Sequence, residues 1–182
     1  MKRSHIRLLA FMALCIALNI VGSNIALMLK LPIYLDSIGT LLTAACFGPI
    51  PAMTVGALTG IIVGATSDLY SLFFMPVQLI IGLVAGIVFQ RLNPGKIRHI
   101  WWTAFIIGFP GTIVSTIITV ICFGGITSSG SSMIVQVLLG TGLSKPVAVF
   151  IVQMITDYAD RLVSLLVVGL VYKQIANRLV TN

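Results

Sequence analysis

Residues 37–67 read SIGTLLTAACFGPIPAMTVGALTGIIVGATS, 31 residues without a charge. Whether this stretch crosses a membrane once or twice decides the fold. It is long for one helix and short for two, since about 20 residues span the ~30 Å hydrocarbon core of a bilayer. Its centre, Gly48-Pro49-Ile50-Pro51, argues against one continuous helix. Each proline removes a backbone donor and crowds the preceding turn, and the glycine before them eases a sharp bend. The stretch therefore reads as two short apolar segments joined by a tight connection.

Outward from it, charges divide the chain into further apolar runs. Leu8–Leu29 holds 22 uncharged residues, Leu69–Gln90 another 22, and Ile100–Ser144 another 45. The first run exceeds the roughly 7–15 apolar residues of a signal peptide, so it is expected to be a retained span. The last apolar segment, Val147–Tyr172, carries Asp157, Asp160 and Arg161. Cytoplasmic loops are enriched in Lys and Arg. With two spans in 37–67, eight basic residues fall on one side: Lys2, Arg3, Arg7, Arg91, Lys96, Arg98, Lys173 and Arg178. Only Lys30 and Lys145 then fall on the other. With one span, the Arg91–His99 loop lands outside, against the rule. The expected fold is an all-α membrane protein. It has six transmembrane helices in a compact bundle, with N and C termini cytoplasmic. One integral domain, 1–182, holds approximate spans 7–29, 33–48, 50–67, 70–90, 100–123 and 147–172. The second span borrows Ile33–Asp36 to gain length.

Composition agrees. Of the residues, 58% are hydrophobic and 8% charged, against about 25% charged in soluble domains. Lipid must solvate much of this surface. The net charge of +7 would suggest nucleic acid in a soluble protein. Here the positive-inside pattern accounts for it, and no nucleic-acid partner is expected. Cys15, Cys46 and Cys122 are odd in number, sit in apolar segments and form no CxxC, so buried inert thiols are expected rather than a disulfide or metal site. The chain lacks GxxxxGK[ST], HExxH and GxSxG. His5 and His99 sit at the expected cytoplasmic borders, away from any serine at the same depth. An enzyme is not expected, nor any intrinsic cofactor.

Polar groups within the membrane are costly and tend to face the protein interior. Asp157 and Arg161 stand four apart on one helix face and could pair; alternatively Arg161 or an Asp meets a polar ligand. Asp36 and Asp68 flank the second and third expected spans at the outer face, either as solvated ends or as ligand contacts. Tyr34, Tyr70, Gln78 and Tyr158, with Asn19 and Asn24, can supply neutral hydrogen bonds there or act as interfacial anchors. The candidate substrate-binding set is Tyr34, Asp36, Asp68, Tyr70, Gln78, Asp157, Tyr158 and Arg161. Gly/Ser-rich residues 124–132, followed by the short apolar Met133–Leu139, read as a lid over an outward cavity or as an idle linker. Small residues recur four apart at Ala13 and Ala17, at Gly56, Gly60 and Gly64, and at Gly82 and Gly86. Such faces let helix backbones approach closely. Ala13 and Ala17 pack within the bundle or dock another subunit.

Three of these features also carry a resemblance. Six apolar segments with both ends inside come with Ala13-Leu14-Cys15-Ile16-Ala17. Leu35-Asp36-Ser37-Ile38-Gly39-Thr40 runs on to Gly48-Pro49, followed by the glycine row. Over nearly its whole length the chain resembles the substrate-binding S-components of energy-coupling factor (ECF) transporters, most of all the cobalamin-specific type. The resemblance implies capture of a vitamin at the outer face of a bacterial plasma membrane. Uptake would be driven by a separate membrane coupling subunit and two ATPase subunits, which alone bind ATP. It assigns Ala13 and Ala17 to docking on the coupling subunit and suggests a corrinoid ligand. Pyridoxine-like, pantothenate-like and pyrimidine ligands remain open, as does a stand-alone or dimeric secondary transporter.

Overall fold

A computed structural model describes residues 2–180, with side chains from His5 to Gln174 except Ile97. The helices are α1 (Lys2–Met28), α2 (Ile38–Phe47), α3 (Pro49–Thr66), α4 (Tyr70–Phe73), α5 (Met75–Phe89), α6 (Ile100–Phe123), α7 (Ser131–Gly140) and α8 (Lys145–Val180). A 3-10 turn, Ile97–His99, leads into α6, and no strand occurs among the described residues. Three helices are long and apolar enough to cross a bilayer: His5–Met28, Pro49–Thr66 and Ile100–Phe123. Leu14, Val21, Ile117, Ile121 and Leu170 turn outward from the bundle. Such a surface requires lipid rather than water, so the chain is a membrane protein. The side chains of Lys2, Arg3 and Arg178, which enter the charge argument, lie outside the described residues.

The decisive stretch breaks at its glycine. α2 ends at Phe47, Gly48 adopts φ +84°, and Pro49 opens α3, where its missing N–H costs nothing. α2 has only 10 residues, about 15 Å of rise, half the hydrocarbon thickness. Residues 33–36, expected to lengthen this helix, are not helical. Leu35 sits at φ +52°, and the backbone N–H groups of Tyr34 and Leu35 bond to Asp160 on α8 at 3.1 and 2.8 Å. The linker thus dips into the bundle, and α2 starts deep within it. Non-helical backbone at such depth is tolerated where protein groups satisfy it.

α2 is the centre of the bundle, packed on α1, α3, α5 and α8. Leu41, Leu42 and Ala44 join Met12, Cys15, Val55, Ile81, Ile107 and Leu165 in one apolar core. Gly39 lies so near the Cys15 backbone of α1 that a Cβ would overlap it. Asn19, fully buried on α1, ties this junction together. Its Oδ1 accepts the Gly39 N–H at 2.7 Å, capping α2, and its Nδ2 donates to Thr40 at 3.0 Å and Thr59 at 3.2 Å. α3 and α5 form an antiparallel pair. Gly56 faces Gln78 and Gly60 faces Ser71 and Met75, while Gly82 faces Ala52 and Met53 and Gly86 faces Pro49. These glycine rows are therefore internal packing faces. Ala13 and Ala17 instead are exposed on the outside of α1. α6 packs along α8, with α5 on its other side and α7 against α8.

Candidate functional site

At the end of the bundle away from Lys2, three connections converge: the 29–37 linker, the α3–α4 corner and the 124–130 turn. They enclose a cavity of about 70 Å³, with about 670 Å³ of free space between its walls out to the mouth. Tyr34, Asp36, Asp68, Tyr70, Phe74 and Gln78 line it, roofed by Thr127, Ser128 and Ser129. A deeper cavity shares Tyr34, Asp36, Phe74 and Gln78 and continues to Thr112, Ser115, Asp157 and Arg161. Seven of the eight candidate residues thus line two adjoining cavities. Tyr158 does not. It faces an apolar groove with Trp101, Trp102, Phe105 and Met154, because one residue beyond Asp157 is about 100° further round the helix.

Asp160 and Arg161 anchor the linker. Asp160 Oδ1 takes the two linker N–H groups, and Arg161 Nη1 donates to Ser37 Oγ. Arg161 Nη1 also lies 3.2 Å from Asp160 Oδ2. That pair is off the line of a hydrogen bond, which leaves Asp160 Oδ2 without a hydrogen-bond partner; Arg161 Nε has none either. The expected Asp157–Arg161 pairing does not form. Asp157 turns to α6, where Oδ2 accepts Thr112 at 2.8 Å and Ser115 at 3.4 Å. Gln153 extends the seam: its Oε1 accepts Thr116 and competes with Asp157 for the single Ser115 hydroxyl proton, and its Nε2 donates to Thr119. An inter-helix hydroxyl that can donate satisfies a buried carboxylate with less chain ordering than a long guanidinium arm.

The 124–130 turn is fastened over the mouth. Ser128 Oγ donates to Asp68 Oδ2 at 3.0 Å, Ser71 Oγ approaches the same oxygen at 3.4 Å, and Tyr34 Oη lies 3.4 Å from Ser131 Oγ. Gly130 sits directly on the Lys30 carbonyl, where any side chain would collide. The 124–132 segment, read as a lid or an idle linker, is held against the cavity mouth by these contacts. Asp68 accepts from Ser128 and Ser71 rather than standing as a freely solvated end.

Two acceptors on the cavity wall are unpaired. Asp36 Oδ1 and Gln78 Oε1 are buried and without a hydrogen-bond partner. The Gln78 amide is oriented by its Nε2, which reaches the Asp36 carbonyl at 3.4 Å. Buried polar groups are nearly always paired, so these two oxygens call for a partner such as water, an ion or a ligand.

Sequence reasoning passed over Ser37, Thr112, Ser115 and Gln153. A signal was present: hydroxyls at 112, 115, 116 and 119 recur at helical spacing, and Gln153 and Asp157 stand four apart. Ser37 carried none, because its partner Arg161 lies 124 residues away. No protein family, curated protein or solved structure matches this chain.

Proposed function

We propose that this chain is the solute-capturing subunit of a membrane transporter, an S-component of the energy-coupling factor kind. In this reading it crosses a bacterial plasma membrane six times, through α1, the linker with α2, α3, α5, α6 and α8. Both termini are cytoplasmic and the lidded cavity opens outward. The observation that carries the reading is the pair of unpartnered acceptors, Asp36 Oδ1 and Gln78 Oε1, on the wall of a cavity roofed by a latched turn. These two orphans coincide with a void, which a close-packed core does not leave.

Two further features support it. The sequence has no nucleotide-binding loop, so an ATP-driven role needs partner ATPase subunits and a membrane coupling subunit. Ala13 and Ala17 are unused by the bundle and leave a shallow strip on α1, suited to a partner helix. The ligand is a vitamin-class solute. The enclosed space of about 70 Å³ is well below the usual range for drug-sized ligand sites. This favours a compact solute such as a pyridoxine-, pantothenate- or pyrimidine-like molecule. A corrinoid exceeds the space and requires the Thr127–Ser129 roof to swing away.

Co-purification with the coupling subunit tests the reading. Ala13→Trp and Ala17→Trp should leave the fold and solute binding intact and abolish assembly. Assembly that survives both substitutions, or uptake that needs only this chain and an ion gradient, contradicts it.

A further inference from the structure

The cavities are unbalanced in both charge and hydrogen bonding. Asp36, Asp68 and Asp157 line the two cavities with a single cation, Arg161, and no lysine or histidine. Arg161 Nη1 is already engaged by Ser37 and Asp160, while its Nε has no partner. Gln78, only 5% exposed, presents an unpaired acceptor, and so does Asp36. Neither orphan on the shared wall is a donor. Tyr34, Tyr70 and Phe74 supply aromatic surface beside these oxygens. Excess buried negative charge, orphan acceptors and aromatic walls have one common complement: an organic cation that donates N–H bonds.

Resting on the reading of this cavity as the solute site, we propose that its ligand is a compact organic ammonium, its N–H groups bonded to Asp36 Oδ1 and Gln78 Oε1 and its body against Tyr34, Tyr70 and Phe74. An anionic solute would meet three carboxylates against one guanidinium whose Nη1 is taken. A neutral solute could fill the acceptors but would leave the charge excess uncompensated.

Three indoles that differ in side-chain charge test this on the detergent-purified chain: tryptamine, tryptophol and indole-3-acetate, with thermal unfolding as the readout. Tryptamine should raise the midpoint, with an apparent Kd at least about tenfold tighter than tryptophol's, the fold-change of one charge-assisted hydrogen bond. Indole-3-acetate should give no shift. Asp36→Asn should erase the preference for tryptamine, and Gln78→Met should weaken its binding. Should either variant fail to fold, the wild-type comparison decides alone. No shift with millimolar tryptamine, or equal or tighter binding of tryptophol or indole-3-acetate, overturns the proposal. So does a sodium chloride shift of the same size that Asp36→Asn abolishes, since the site would then hold an inorganic cation. Tryptamine preference in a chain whose Ala13→Trp and Ala17→Trp variants both still assemble would keep the charge inference and sink the transport reading. Coupled uptake of a neutral or anionic solute would do the reverse.

Discussion

Asp160→Ala probes the contact on which the site depends. Asp160 is fully buried and one of its oxygens holds two backbone N–H groups of the linker, at 3.1 and 2.8 Å. Alanine leaves both donors buried and unpaired, at about 1–3 kcal/mol each. It also strips Arg161 of its nearest carboxylate, and breaking a buried ion pair costs about 3–5 kcal/mol. The two costs share atoms and do not add, so the expected loss is about 3–5 kcal/mol. Asp160→Asn keeps an acceptor in the same place and loses only the charge, for about 1–2 kcal/mol. The assay is unfolding in mixed micelles with rising SDS, followed by far-UV circular dichroism. Hydrogen exchange at Tyr34 and Leu35 supplies the local readout: slow in the wild type and Asp160→Asn, fast in Asp160→Ala. A loss below about 1 kcal/mol for alanine, or equal losses for alanine and asparagine, would refute the linker-anchoring argument.

Three further outcomes follow from the packing. Asn19→Ala removes three inter-helix hydrogen bonds and should cost about 2–3 kcal/mol at the 0.6–1 kcal/mol typical of such bonds in membranes, read by the same SDS titration. Gly86→Leu drives a side chain into the Pro49 backbone and should cost at least about 1–3 kcal/mol. Gly140→Ala, with open space around it, should be neutral or slightly stabilising, and similar losses at both glycines would contradict the α3–α5 contact. Ser128→Ala cuts the latch to Asp68 and should speed solute release roughly 2–10-fold, the worth of one exposed hydrogen bond, without lowering the unfolding midpoint. Unchanged release kinetics would mean that the turn does not gate the cavity.

The helical class and the Gly48–Pro49 break were legible because they depend on local chemistry: a backbone without a donor, a residue free to take positive φ, and uncharged runs of bilayer length. The depth of the linker was not. Hydropathy treats Ile33 to Leu35 as helix-compatible, yet their conformation is set by Asp160, 125 residues from Leu35. The same limit misled the reading of Asp157. Spacing of four fits an ion pair on one helix, but Thr112 and Ser115 on α6 bind the carboxylate first. Most of the cavity residues could be named, since polar side chains in an apolar chain have few other uses. Their grouping could not, because Asp36, Gln78 and Asp157 meet only through the crossing of α8, α5 and the linker. Tyr158 shows how one residue of helical phase separates a cavity from an outer groove.

The central claim is that this bundle is a binding subunit with a solute site beneath the 124–130 turn. Mass spectrometry of small molecules released from the detergent-purified wild type and from Asp36→Asn tests it most directly. The account predicts one compact solute, near one per chain in the wild type and lost in the variant. No solute above the lipid and detergent background, or equal amounts from both proteins, would contradict it.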